Sequence, residues 1–266
     1  MTFPTRAALG GLLALAFAPL PAQAHFLLQH TPAALFDRPG DVPVKLVFWH
    51  PMAVGPAMDL ERPREVFFVQ RGLRTDLSDR LVETVFDGGG EAATAWDLTL
   101  PVKRSGDYVL VTVPEPYFEE AEDKYIQQIA KTVFNRNGLP TDWDAPVGLK
   151  TEILPLTKPY NVIAGSTFTG RVLADGAPVA GAEIEVEFVA AEPLMDGTGA
   201  APATASAPPG GAIVVVSDAD GEFTFGVPRA GWWGFAALDV GPDKEHDGKP
   251  LSQDAVLWIR AHGMDR

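Results

Sequence analysis

Few residues in this chain are equipped for chemistry, and histidine leads them: His25, His30, His50, His246 and His262. Cysteine is absent, which removes thiolate metal sites, disulfides and cysteine nucleophiles together. No Gly-x-Ser-x-Gly elbow, phosphate-binding glycine loop or His-Glu-x-x-His pair occurs, and no carboxylate spacing singles out an acid/base pair. What remains is nitrogen ligation of a metal. Imidazole suits Zn, Cu and Ni, and square-planar nitrogen sets suit Cu(II) or Ni(II).

His25 has the most distinctive position. Residues 1–24 read as a secretory signal peptide: Arg6 gives the positive start, 7–17 is apolar, and Ala22-Gln23-Ala24 is a small-x-small cleavage site. Cleavage after Ala24 makes His25 the first residue of the mature protein. Its α-amino group and its imidazole can then close a chelate ring on one ion, where an internal histidine offers a single nitrogen. The alternative is a histidine left there by accident of processing.

His50 ends the strongest strand pattern, on a proline-directed turn, and is well placed to meet that N-terminus. Met52, Met58 and Asp59 follow it. Methionine sulfur favours a soft ion such as Cu(I), although both methionines read better as cover for a sheet edge. His25 and His30, five apart in an extended segment, point to opposite faces and do not share an ion. His246 lies in a polar loop, 243–248, and completes a site only if the two halves of the chain meet there. His262 is four residues from the end, in a stretch expected to be loosely held.

Composition bounds the rest. Without residues 1–24 the chain has 242 residues, room for one large or two ordinary domains. Its net charge becomes −15, with Arg6 gone from the 21 basic residues that oppose 35 acidic ones. Such a surface repels nucleic acid and anionic lipid. The apolar run at 7–17 is shorter than the ~20 residues of a membrane span. Export without disulfides points to a periplasm.

Short β-type runs separated by Gly, Pro, Asp and Asn dominate. At 42–49, Val44, Leu46 and Phe48 alternate with Lys45 and Val47. Residues 65–70, 95–100 and 107–113 are further strands. The stripe Tyr125, Ile126, Ile129, Ala130, Val133, Phe134 has helical spacing and β-type composition, and spacing alone leans to helix. Residues 137–150 read as a linker. Beyond it, 166–173, 182–189, 213–217, 222–227, 232–239 and 255–261 read as strands, with tight turns at 174–178 and 218–221. Asp218 to Glu222 resembles the opening of a calcium loop without its later ligands, and reads as a hairpin turn. Residues 190–211 hold seven Ala, four Pro and four Gly, and predict a flexible excursion that buries no core. Trp232-Trp233 in one strand predicts one buried ring and one exposed, the exposed one covering an edge or stacking on a sugar. The fold class is all-β: two immunoglobulin-like or carboxypeptidase-regulatory-like β-sandwich domains after a cleaved signal peptide.

The chain resembles a family described as the periplasmic component of cobalt/nickel uptake transporters. Ala24-His25-Phe26, Phe48-Trp49-His50-Pro51-Met52 with Met58-Asp59-Leu60, and residues 149–156 running into 161–165 and 170–182 carry the likeness. Residues 217–225 and Gly231-Trp232-Trp233 continue it. The resemblance implies an N-terminal β-domain, 25–145, bearing the metal site, and a carboxypeptidase-regulatory-like domain, 146–266. It implies a strand at 125–134. It also implies Ni or Co binding in the periplasm, copper less so, at His25 and His50, with delivery to a membrane transporter; no motif of the sequence singles out catalysis by the chain itself. His246 matches none of the family's motifs and joins the set by inference. Two other classes compete: a copper oxygenase with an N-terminal histidine brace, and a structural β-sandwich without metal.

Overall fold

The computed structural model describes residues 25–264. It is all-β, with one 3-10 turn at Ser78–Arg80 and twenty strands among the described residues. The first half carries β1 (Phe26–His30), β2 (Leu35–Phe36), β3 (Gly40–Trp49), β4 (Glu65–Gln70), β5 (Leu73–Asp76), β6 (Val82–Phe86), β7 (Ala93–Val102), β8 (Gly106–Val113), β9 (Tyr117–Glu119) and β10 (Lys124–Arg136). The second half carries β11 (Thr151–Pro155), β12 (Val162–Ile163), β13 (Thr167–Ala174), β14 (Ala177–Pro178), β15 (Glu183–Phe188), β16 (Ile213–Val216), β17 (Glu222–Gly226), β18 (Gly231–Ala237), β19 (Glu245–His246) and β20 (Lys249–His262).

Three sheets organise these strands. One runs β1-β3-β7-β6, and another joins β11, β13, β14 and β17. Between them a long sheet runs β16-β15-β18-β20-β10-β8-β4-β5. The first core fills the space between the β1 sheet and the long sheet, with Phe26, Trp49, Phe67, Phe134 and Trp258 among its members. The second lies between the β13 sheet and the long sheet, around Phe168, Ile184, Phe235 and Leu257. β10 and β20 pair in parallel from Tyr125↔Leu251 to Thr132↔Trp258, so one sheet passes through both cores.

That sharing decides several elements. Residues 125–134 are a strand, because β10 lies between β8 and β20 with both faces covered. Its polar residues are buried with partners: Lys131 pairs with Glu152 at 2.6 Å, and Gln127 donates to Pro114 O. Trp232 and Trp233 point to opposite faces of β18, and both are buried, one in each core. No sugar-stacking ring is left exposed there. Lys45, which alternates with the apolar residues of β3, is itself buried and reaches Asp97 at 2.8 Å.

Turn chemistry is as the sequence predicts at Asp175-Gly176, where both residues have positive φ and close the β13–β14 hairpin. The Asp218 carboxylate accepts N–H bonds from Asp220 and Glu222, so it is committed to its own turn. That turn links strands of different sheets and is not a hairpin. Residues 137–150 contain no strand, yet they are held firmly. Asp107 accepts from the N–H groups of Thr141, Asp142 and Trp143, and Glu152 from those of Val147 and Gly148.

The excursion at 190–211 is more ordered than its composition suggests. Ala190 and Ala191 are buried in the cores, and Pro193 bridges Ala200. Ala190 N–H donates to Pro51 O, and Thr204 N–H to Ala190 O. Alanine is small enough to pack where the main chain closes on a neighbouring turn.

Candidate metal centre

β1 and β3 are antiparallel with Phe26 opposite Trp49. This register places His25, one residue before β1, across from His50, one residue after β3. Directly opposed residues of an antiparallel pair stand about 4.5–5.5 Å apart. Their imidazoles meet, with ring centroids 4.0 Å apart and planes inclined at 40°. Imidazoles this close could both reach one ion at the ~2.0 Å of a metal–nitrogen bond.

The neighbours fix this corner. Trp49 anchors the end of β3 by donating its indole N–H to Gly55 O at 2.7 Å and Gly88 O at 3.2 Å. A Cβ at Gly88 would run into that indole, so this approach requires glycine. His25 leans on Phe48, 5.5 Å between centroids, and Phe48 packs edge-on against Tyr117 at 4.7 Å. His50 is 4% exposed, while His25 is half-buried at the rim. Burial, and then the nearby His50, hold the His25 pKa down at about 3. At neutral pH its imidazole is therefore the free base that a metal requires.

The other three histidines lie elsewhere. His30 is 1% exposed, with its ring 6.3 Å from Trp232 and its Nε2 4.0 Å from Glu192. Burial, aided by Arg260 and Lys45, holds its pKa at about 3 as well. His246 packs edge-on against Tyr125 at 4.6 Å, beside Asp247, and is not brought to the His25–His50 pair. His262 is held, with a ring nitrogen 2.9 Å from Tyr160 O, because β20 continues to the chain's end region. Among the described residues no three His, Asp or Glu side chains gather as a ligating group. Residues 1–24, with the expected signal peptide, lie outside the described residues.

The chain matches, over residues 22–241, the family described as "Domain of unknown function (DUF4198)". It belongs to the DUF4198 family. That match contains both His25 and His50. No curated protein matches the sequence. Among solved structures it is similar to the Clostridium thermocellum CbhA fibronectin(III)-like modules, at 11% identity over 89% of this chain and 95% of that one, with a TM-score of 0.21. The D0-D1 domain of Intimin gives 10% identity over 86% and 96%, with a TM-score of 0.21. Scores so low carry no argument about this DUF4198 member.

One feature gives little notice in the sequence. The turn after β3 docks on β15, where Met52 N–H donates to Glu187 Oε1 at 2.9 Å. Beside it lies a groove of about 490 Å³, lined by His50, Met52, Glu185, Glu187 and residues 207–213. Burial first, then the charges of Glu183 and Asp254, raise the Glu185 pKa to about 7. Burial raises Glu187 to about 7 as well, against the Met52 N–H that lowers it. The alternation Glu183-Ile184-Glu185-Val186-Glu187 was available as a clue, but its partner turn is 135 residues away.

Proposed function

We propose that this protein binds a divalent transition-metal ion, Ni(II) or Co(II) as cargo, and delivers it to a membrane uptake transporter from the periplasm. The observation that carries the reading is the meeting of His25 and His50 at 4.0 Å in a register set by β1 and β3. Two side chains make an incomplete set. Processing after Ala24 would add the His25 α-amine, which closes a chelate ring with its own imidazole, and the Phe26 amide nitrogen is next in line. Nitrogen donors of this kind suit Ni(II), and Cu(II) shares the preference. The transport role and its location rest on the resemblance at the motifs around His25 and His50, together with the expected signal peptide.

The test is calorimetric titration of Ni(II) and Co(II) into protein beginning at His25, beside its His50→Ala variant. A loss of affinity beyond the roughly 10- to 100-fold that removal of an outer-shell partner costs is expected. Unchanged affinity in His50→Ala would refute the site.

A further inference from the structure

The groove beside His50 holds a carboxylate with no visible reason to be there. Glu185 is 7% exposed, lines the groove, and its Oε2 has no hydrogen-bond partner. Burying a carboxylate without a partner is costly unless it takes a proton or a cation. Glu187, two residues along the same strand, presents its carboxylate on the same face. One of its oxygens is committed to Met52 N–H. Among the described residues, no lysine or arginine lines this groove.

We propose that Glu185 and Glu187 form a second cation site, a station where a hydrated divalent ion waits before or after the His25–His50 pair. This rests on the delivery reading above for its direction, though not for its existence. The size fits: water occupies about 30 Å³ per molecule in the liquid, so six waters and an ion need less than half of the groove's 490 Å³. The chemistry fits too. Carboxylates and water receive an ion in its aqueous form, and the nitrogen pair next to them replaces that shell with stronger donors. His50 lines the groove and also stands in the pair, so the two sites adjoin.

Mn(II) is the probe, because it favours carboxylate and water ligands over nitrogen. Free Mn(II) is followed by its EPR signal during titration of protein beginning at His25. The wild type and His25→Ala should take up one Mn(II) with affinities within twofold. Glu185→Gln and Glu187→Gln should each lose at least tenfold. Glu83→Gln, at an exposed position on β6, should lose nothing and controls for the acidic surface. The glutamines keep shape and remove buried charge, so the melting temperature should not fall. Equal uptake by wild type, Glu185→Gln and Glu187→Gln would overturn the proposal, as would loss of uptake in His25→Ala. Mn(II) uptake that depends on Glu185 in a protein that does not bind Ni(II) would retain the groove site and remove the delivery reading.

Discussion

β1 is flanked by His25 and ends on His30, and the two share much. Both imidazoles are held neutral, at about 3, and both owe this first to burial. Their surroundings differ. His30 lies under the second half of the long sheet, against Trp232 and near Glu192. His25 stands at the rim, opposite His50, where a groove opens. A depressed imidazole is therefore common to a packing residue and a candidate ligand. The strand register, which gives one of them a second imidazole, separates the two roles.

The sharpest way to break this comparison is metal affinity. His25→Ala should lower Ni(II) affinity by more than the roughly 10- to 100-fold of an outer-shell change, while His30→Ala stays within twofold. Titration calorimetry on both variants decides it, and comparable losses would erase the distinction. Stability should run the other way. His30→Ala leaves a void under Trp232 and should cost about 2 kcal/mol or more in urea unfolding. His25→Ala, half-buried at the rim, should cost less than about 1 kcal/mol. His50 is 4% exposed, so its removal also costs packing, and His25 is the better variant for separating binding from folding.

A further test lies in pH dependence. The folded pKa of His30, about 3, lies below the ordinary value of 6.5. Between them the unfolded chain takes a proton that the folded chain refuses, so stability should fall as pH drops from 6.5 toward 3. His30→Gln should flatten that slope by up to about 1.4 kcal/mol per pH unit. Glu185 and Glu187 act on the opposite side. Their raised values, about 7, give stability that is present at low pH and lost as pH rises through 7. Glu185→Gln should reduce that loss, measured by urea midpoints at pH 5 and 7. An acid slope unchanged in His30→Gln would show that His30 is not held neutral.

The sequence makes some of this plain. β3 is readable because its apolar alternation ends on His50-Pro51, and the β13–β14 turn because Asp175-Gly176 suits positive φ. Other elements are hidden by double burial. β10 loses its period-two pattern because both faces are covered, and Lys131 and Gln127 are tolerated inside by partners in other strands, Glu152 and Gln253. Trp232 and Trp233 mislead for the same reason. Of the candidate site, His25 and His50 are legible as a pair of strand ends. Glu185 is not, since it becomes unusual only when the turn at Met52 closes over β15. His246 belongs to a neighbouring hairpin against Tyr125, a pairing that no spacing signals.

The central claim is that removal of residues 1–24 creates the site that β1 and β3 prepare. The direct measurement is Ni(II) titration, side by side, of protein beginning at His25 and of protein with one added methionine before it, with both N-termini confirmed by mass spectrometry. The extra residue turns the His25 amine, with pKa ~8, into a peptide amide and breaks the short chelate ring. Both forms should unfold at the same urea concentration, because the addition touches no core. The form beginning at His25 should bind Ni(II) at least tenfold more tightly. Its affinity should fall as pH drops from 8 toward 6, because the amine must shed its proton to bind. Equal affinities for the two forms would contradict the account.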